Sequence, residues 1–320
     1  MIVVTGAAGF IGSCVVSRLN QAGEDQIIAV DVLRQNDKWK NLRHLNFSDY
    51  LDRSQLFDYL QSAKNVRSII HMGACSATTE RDAYYLMENN YRYTLQLAEY
   101  ALKNNVRFIY ASSAATYGMG EQGYDDNEAR IDLLRPMNMY GYSKQVFDLK
   151  ARREGWLKKI VGLKFFNVYG PNEYFKGEMS SVVFKAFNQI RGKGYVRLFK
   201  SHRPDFKDGE QLRDFIYIKD VLEVIMFFLN HPEINGLYNV GTGKARTFLD
   251  LVNATFRAMD LEPKIEFFDM PQELRDRYQY FTEAKMEKLR QTGFNKKFHS
   301  LEEGITDYVQ NYLMKDYAHY

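Results

Sequence analysis

Cysteine is scarce in this sequence. Cys14 and Cys75 are the only two in 320 residues, too few for a disulfide framework or a structural zinc site, so a reducing compartment is expected. Long apolar runs are also missing, and none approaches the roughly 20 residues that a membrane-spanning helix needs. No membrane role is expected. Neither sign of charge dominates: 43 basic and 40 acidic residues leave a formal net charge of +3 with no block of like charge, a poor match to a polyanion, and no nucleic-acid partner is expected. Histidines at metal-ligand spacing are absent too, so no metal is expected. The strand pattern that starts at Ile2 leaves no room for a secretory signal, and the expectation is a cytoplasmic protein.

What is present is a core. Hydrophobic residues make up 45% of the chain, enough for one large or two modest domains. Ile2 to Val4, Ile27 to Val30, Ser68 to Ile70 and Phe108 to Ala111 are continuous apolar runs without polar alternation, as expected of parallel strands buried on both faces. Between them, Phe10 to Ala22, Ser54 to Gln61 and Arg81 to Asn104 carry helical spacing. This rhythm predicts an α/β fold with a doubly wound parallel sheet of Rossmann type, whose ligand lies at the carboxyl ends of the strands. After about residue 165 the rhythm loosens into a smaller carboxyl-terminal substrate lobe. The expected division is 1–166 for dinucleotide binding and 167–320 for the lobe, with some chain crossing between them. In the lobe, Ser180 to Arg191 and Leu301 to Leu313 read as helices, and Asn239 to Gly243 as a strand and turn. Phe199 to Leu212, charged and almost free of aliphatic residues, reads as an exposed or substrate-covering loop.

Gly6, Gly9 and Gly12 follow the first strand and open the first helix. Such glycines let the backbone approach a pyrophosphate, which rests on free N–H groups at the positive end of the helix dipole. Asp31, at the end of the second strand, stands where a carboxylate binds an adenosine ribose. A purely structural glycine turn is the weaker explanation in this context.

Tyr140 and Lys144 are spaced i, i+4, so a helix carries them on one face and a lysine ammonium can stabilise a tyrosinate. A phenol titrates near pH 10 and needs such help to act as a base at neutral pH. Ser112 and Ser113, after the fourth apolar run, supply hydroxyls for the same reacting oxygen. His71 reads as a satisfied buried imidazole, Cys75 as packing, and Tyr91 and Tyr93 as helix packing.

The glycine turn, Ser113, Tyr140 and Lys144 together resemble the extended short-chain dehydrogenase/reductases, which epimerise, dehydrate or reduce nucleotide sugars. The runs GACSATTE (73–80), ENNY (88–91), YASSAATYG (110–118), MYGYSK (139–144), FFNVYGPNE (165–173), FKG (175–177), RDFIYIKDV (213–221), NVGTGKA (239–245) and RYQYFT (277–282) are similar to one branch of them, the ADP-L-glycero-D-manno-heptose 6-epimerase family. The likeness spans nearly the whole chain.

That resemblance implies an isomerase acting on an ADP-heptose for the inner core of a bacterial lipopolysaccharide. It implies Tyr140 as one acid/base, Lys176 as a second, Ser113 holding the reacting oxygen, and Lys144 binding the nicotinamide ribose while tuning Tyr140. On the same basis Phe10, Ile11, Asp31, Val32, Lys38, Arg53, Met72, Gly73, Ala74, Cys75, Ser76, Asn89, Val168 and Lys176 fall at cofactor positions beside the three glycines. Asn167, Glu178, Lys185, Phe199, Lys200, Ser201, His202, Arg213 and Tyr278 fall at substrate positions with Ser113. Tightly bound NADP is implied, with NAD as the alternative, and so is a homo-oligomer, specifically a homopentamer. The chain departs from the pattern at Val32, where the family commonly has Asn, at Arg53 for lysine, and at Glu178 and Lys185 where Ser and His are usual; the loop after Lys200 is longer. The competing assignments are a UDP-hexose 4-epimerase, a nucleotide-sugar 4,6-dehydratase and a non-catalytic dinucleotide sensor. A dehydratase needs an acidic pair beside Ser113, where Ala114, Ala115 and Thr116 stand; a sensor has no need of Ser113, Tyr140 and Lys144.

Overall fold

The computed structural model describes residues 1–275 and 278–320. The apolar runs form strands β1 (Ile2–Thr5), β2 (Ile27–Asp31), β3 (Asp49–Asp52), β4 (Ser68–His71), β5 (Arg107–Ser113) and β6 (Val161–Phe165). The chain then leaves this sheet for β7 (Asn167–Tyr169), β8 (Val196–Phe199) and β9 (Leu212–Tyr217), returns to it as β10 (Gly236–Val240), and leaves again for β11 (Ala245–Thr247) and β12 (Ile265–Phe268). The large sheet has the order β10-β6-β5-β4-β1-β2-β3, parallel throughout. Small sheets β11-β9-β7 and β12-β8 build the second part.

The doubly wound parallel sheet expected from the sequence is therefore present, and its cause is visible in β1. Ile2 and Val4 join the hydrophobic cluster on one face while Val3 joins the cluster on the other. Every residue of such a strand is buried, so no polar alternation survives. Winding reverses between β1 and β4, which leaves a crevice at their carboxyl ends.

Helix α1 (Phe10–Gln21) matches its expected span to within one residue. Before α2 (Leu56–Ser62) comes a 3₁₀ turn, Arg53–Gln55, closed by a capping box between Asp52 and Gln55. The stretch expected as one helix from Arg81 to Asn104 is α3 (Ala83–Leu86) and α4 (Tyr93–Lys103), joined by a π-helical turn at Met87–Arg92. Periodicity alone hides such an insertion, and π turns concentrate at functional sites. Further along, α5 (Met139–Arg153) is capped by the Asn138 side chain accepting from Gly141 N at 2.8 Å. Helices α6 (Val182–Lys193), α7 (Ile218–Asn230) and α8 (Phe248–Ala258) follow, then a terminal helix, Leu301–Tyr308, prolonged by a π turn to Leu313. Between Phe199 and Leu212 the chain is neither helix nor strand. Among the described residues no helix is long and apolar enough to cross a membrane.

Candidate active site

A cleft of about 650 Å³ opens at the carboxyl ends of β1, β4 and β5. Gly6 turns the chain out of β1 with φ +67°, and a Cβ on Gly12 would lie 2.0 Å from the Gly6 carbonyl oxygen. The turn and the first helical residues therefore pack backbone against backbone, which only glycine permits. Gly9 is the N-cap of α1 and offers no side chain to the helix's first N–H groups. Gly9, Phe10 and Ile11 line the cleft, so uncapped donors and the positive helix end suit a phosphate anion. At the end of β2, Asp31 accepts from Ala8 N at 2.8 Å, Val32 N at 2.7 Å and Lys38 Nζ at 2.7 Å. Met72 to Ser76, after β4, form the opposite wall.

Tyr140 and Lys144 ride on α5 and enter the cleft beside Ser113, the last residue of β5. Burial pushes the Tyr140 phenol above its ordinary value; the Ser113 hydroxyl works against that shift and Cys75 adds to it. The Lys144 ammonium donates to the Ala111 carbonyl at 2.8 Å, its pKa brought down to about 8 by burial, with Asp148 and Cys75 opposing. One turn further along α5, fully buried Asp148 accepts from Tyr110 OH at 2.9 Å, Ser112 Oγ at 2.7 Å and Lys164 Nζ at 2.8 Å. That network pins α5 to β5 and β6, and fixes the direction in which Tyr140 and Lys144 point.

Asn167, Val168 and Lys176 reach the cleft from the other side. The Lys176 ammonium lies 5.2 Å from the centroid of the Phe10 ring, and burial holds its pKa below the ordinary lysine value, with Glu173 opposing.

Val32, Arg53 and Asn89 stand outside the cleft lining. Arg53 donates to the Asn89 side chain and lies over the Tyr93 ring at 5.3 Å. The positions implied for substrate, apart from Ser113 and Asn167, are not in the lining either. Arg213 is sandwiched between Tyr278 at 5.2 Å and Phe248 at 5.7 Å, and Phe248 is itself a wall of the cleft. Phe199 meets Tyr278 edge-on at 6.2 Å. Lys200 pairs with Asp269 at 3.4 Å, Ser201 N donates to Asp208 at 2.7 Å, and His202 N donates to Tyr280 OH at 2.8 Å. Glu178 and Lys185 form a loose surface pair at 3.8 Å. Arg277, the first residue of the RYQYFT run, lies outside the described residues.

Other contributors are not evident from sequence. The π turn aims buried Asn90 inward, where its amide bridges Cys75 O at 3.0 Å, Cys75 N at 2.9 Å and Ser143 Oγ at 3.0 Å, tying the cleft wall to α5. Two adjacent asparagines in an otherwise amphipathic stretch were the signal available. Asn41 donates to Ala8 O at 3.0 Å and Asn172 O at 3.1 Å, joining the glycine turn to the strand of chain before Lys176. His71 is satisfied, as its sequence context suggested. Thr94 donates to Asn90 O, so His71 Nε2 carries the proton and donates to Thr94 at 2.8 Å, leaving Nδ1 to accept from Thr5.

Residues 2–241 match the NAD dependent epimerase/dehydratase family. The chain is 55% identical to the ADP-L-glycero-D-manno-heptose-6-epimerase of Nitratidesulfovibrio vulgaris (strain DP4), with 98% of each chain covered. Its fold is similar to the crystal structure of the Helicobacter pylori ADP-L-glycero-D-manno-heptose-6-epimerase, with a TM-score of 0.82, 28% identity, and 97% and 95% of the two chains covered. It is also similar to the Thermus thermophilus UDP-glucose 4-epimerase in complex with NAD, with a TM-score of 0.77, 26% identity, and 96% and 97% covered.

Proposed function

The chain belongs to the NAD dependent epimerase/dehydratase family, and from that membership we propose that it interconverts ADP-D-glycero-D-manno-heptose and ADP-L-glycero-D-manno-heptose by inverting C6″. The near-complete likeness to curated epimerases of that name supports the substrate. One observation carries the chemistry: two proton-exchanging side chains from different elements, Tyr140 on α5 and Lys176 beyond β7, line a single cleft.

C6″ bears a hydroxyl and has no adjacent carbonyl, so its hydrogen is not acidic enough to leave as a proton. It leaves as hydride. The glycine turn, Asp31, Lys38 and the wall from Met72 to Ser76 are the residues that hold a nicotinamide dinucleotide, which when bound supplies a reversible acceptor for that hydride. Tyr140 exchanges the hydroxyl proton on one face, Ser113 hydrogen-bonds the reacting oxygen, and Lys176 exchanges a proton on the other. The transient ketone receives its hydride back on the opposite face, and the centre is inverted. Burial by itself favours the protonated Tyr140 phenol; positive charge brought close to it is what makes it a base.

NADP is the dinucleotide in this proposal, because Lys38 offsets Asp31 and a second cation, Arg53, follows Asp52, the partner of Asp31 across β2 and β3. Arg213, Tyr278 and the Phe199 to His202 loop form the substrate side, and the active species is a cytoplasmic homo-oligomer. Incubating purified protein with each ADP-heptose and separating the epimers chromatographically tests the activity. Interconversion is expected; turnover of UDP-glucose to UDP-galactose with inert ADP-heptoses would favour the hexose 4-epimerase instead.

A further inference from the structure

The segment from Gly170 to Ser181 carries Lys176 between β7 and α6, and holds only a single 3₁₀ turn, Gly177–Met179. A side chain that must meet a substrate with little tolerance for misplacement is here mounted on a loop, which needs to be fixed by something else. Glu173 does this. It is 0% exposed, and its carboxylate accepts from Gly170 N at 3.3 Å, from Ser181 Oγ at 2.7 Å and from Ser181 N. Its backbone carbonyl accepts from Lys176 N at 3.1 Å. One residue thereby joins both ends of the segment to the peptide that presents the lysine.

All three carboxylate partners are neutral donors. Hydrogen bonds of this kind favour the ionised form, while burial pushes Glu173 up. A buried anion without a cation on it is costly to keep. The Lys176 ammonium sits three residues along the same turn, resting on the Phe10 ring.

We infer that Glu173 is a positioning residue for the reaction proposed above: it closes the loop that presents Lys176 and supplies the negative charge against which Lys176 exchanges its proton. The direction of the Lys176 shift agrees, since burial lowers it and Glu173 is the group that raises it. The other titratable groups around the segment do not take that part. Cys14 on α1, Tyr174 and Tyr308 of the terminal helix are held neutral by burial. His319, stacked on Phe175 at 6.4 Å, is brought down to about 4 by burial, Arg43, His44 and Lys40. Glu178 is exposed beside Lys185. Across the cleft stand Tyr140, Lys144 and Cys75, with Asp31 bound to Lys38.

The inference rests on Lys176 being the second acid/base, and the two claims separate experimentally. Lys176→Met tests the role of the lysine. Glu173→Gln tests the clamp and its charge, read from the titration of Lys176 in holoenzyme carrying [ε-¹³C]lysine, with the resonance assigned by its loss in Lys176→Met. A carboxylate that only tied the loop down would, when neutralised, release Lys176 into water and let its titration rise toward the ordinary lysine value. A carboxylate that also supplies charge gives the opposite sign: the titration falls by about one pH unit or more. The pH-rate limb that disappears in Lys176→Met moves down with it. Glu173→Asp guards against a variant that fails to fold. It keeps the charge on a shorter arm, so the titration is expected within about half a pH unit of wild type, while kcat falls about tenfold from the misplaced loop and KM stays within about twofold. An unchanged or raised Lys176 titration in Glu173→Gln, or a lowered one in Glu173→Asp, overturns the inference.

Discussion

Asp31 and Lys38 are joined by an ion pair of 2.7 Å where β2 ends at the cleft, and the same carboxylate accepts two backbone N–H groups. A free carboxylate at this position accepts a ribose 2′-hydroxyl and repels a 2′-phosphate, the usual signature of NAD. Here the anion is already compensated. The dinucleotide released when the purified protein is denatured is expected to be mainly NADP(H). Lys38→Ala should lower the preference for NADP over NAD by about tenfold or more, the loss of one charge-assisted contact. Release of mainly NAD from the wild type refutes this assignment and leaves the fold untouched.

Tyr140→Phe and Lys176→Met are each expected to slow epimerisation by at least about a hundredfold, the lower range for losing a general acid/base. Both proteins should melt within a few degrees of wild type. Near-normal turnover of a normally folded Lys176→Met protein reduces Lys176 to a surface lysine and removes the two-base mechanism.

The large sheet was legible because strands buried on both faces have to be continuously apolar, as Ile2 to Val4 are, and because a glycine turn between strand and helix has few other uses. That Tyr140 and Lys144 would lie one turn apart on a helix was legible from their i, i+4 spacing. Lys176 was not, since a lysine between Phe175 and Gly177 looks solvated, and only the family resemblance singled it out. Asn90, Asp148 and Glu173 stayed hidden for a shared reason: their roles are made by partners distant in sequence. Asp148 needs Lys164 and Ser112 to be read as a brace, and Glu173 needs Ser181. The π turn at Met87–Arg92 was invisible because the buried positions through it, Leu86, Asn90, Thr94 and Leu97, still follow one another at three- or four-residue spacing.

Gly12→Ala tests the backbone packing of the glycine turn. The added methyl carbon would lie 2.0 Å from the Gly6 carbonyl oxygen and 2.6 Å from its carbon, and backbone has no rotamer by which to yield. The turn must move. Overpacking of this kind costs about 1–3 kcal/mol, and the purified variant is expected to lack bound dinucleotide and to unfold at lower denaturant. Full retention of cofactor at unchanged stability contradicts the geometry.

Acid sensitivity should trace to His71. Burial, reinforced by Lys144, lowers its pKa to about 3 from the ordinary 6.5, so the folded protein keeps it neutral while the unfolded chain takes up a proton. The stabilisation is complete above pH 6.5 and is lost as pH falls from there toward 3, at about 1.4 kcal/mol per pH unit once well inside that window. Urea midpoints measured from pH 7.5 to 5 should therefore fall more steeply for wild type than for His71→Gln. Parallel curves for the two proteins exclude His71 as the cause.

Inversion of C6″ by hydride removal and return is tested by the fate of one hydrogen. ADP-D-glycero-D-manno-heptose deuterated at C6″ is turned over in ordinary water, and the product is analysed by NMR and mass spectrometry. The hydrogen leaves as hydride and never equilibrates with solvent, so the L-glycero product is expected to keep its deuterium at C6″. Unlabelled substrate turned over in heavy water should acquire essentially none at that carbon. Inverted product that has lost the label to water, or that gains solvent deuterium at C6″, rules out hydride return.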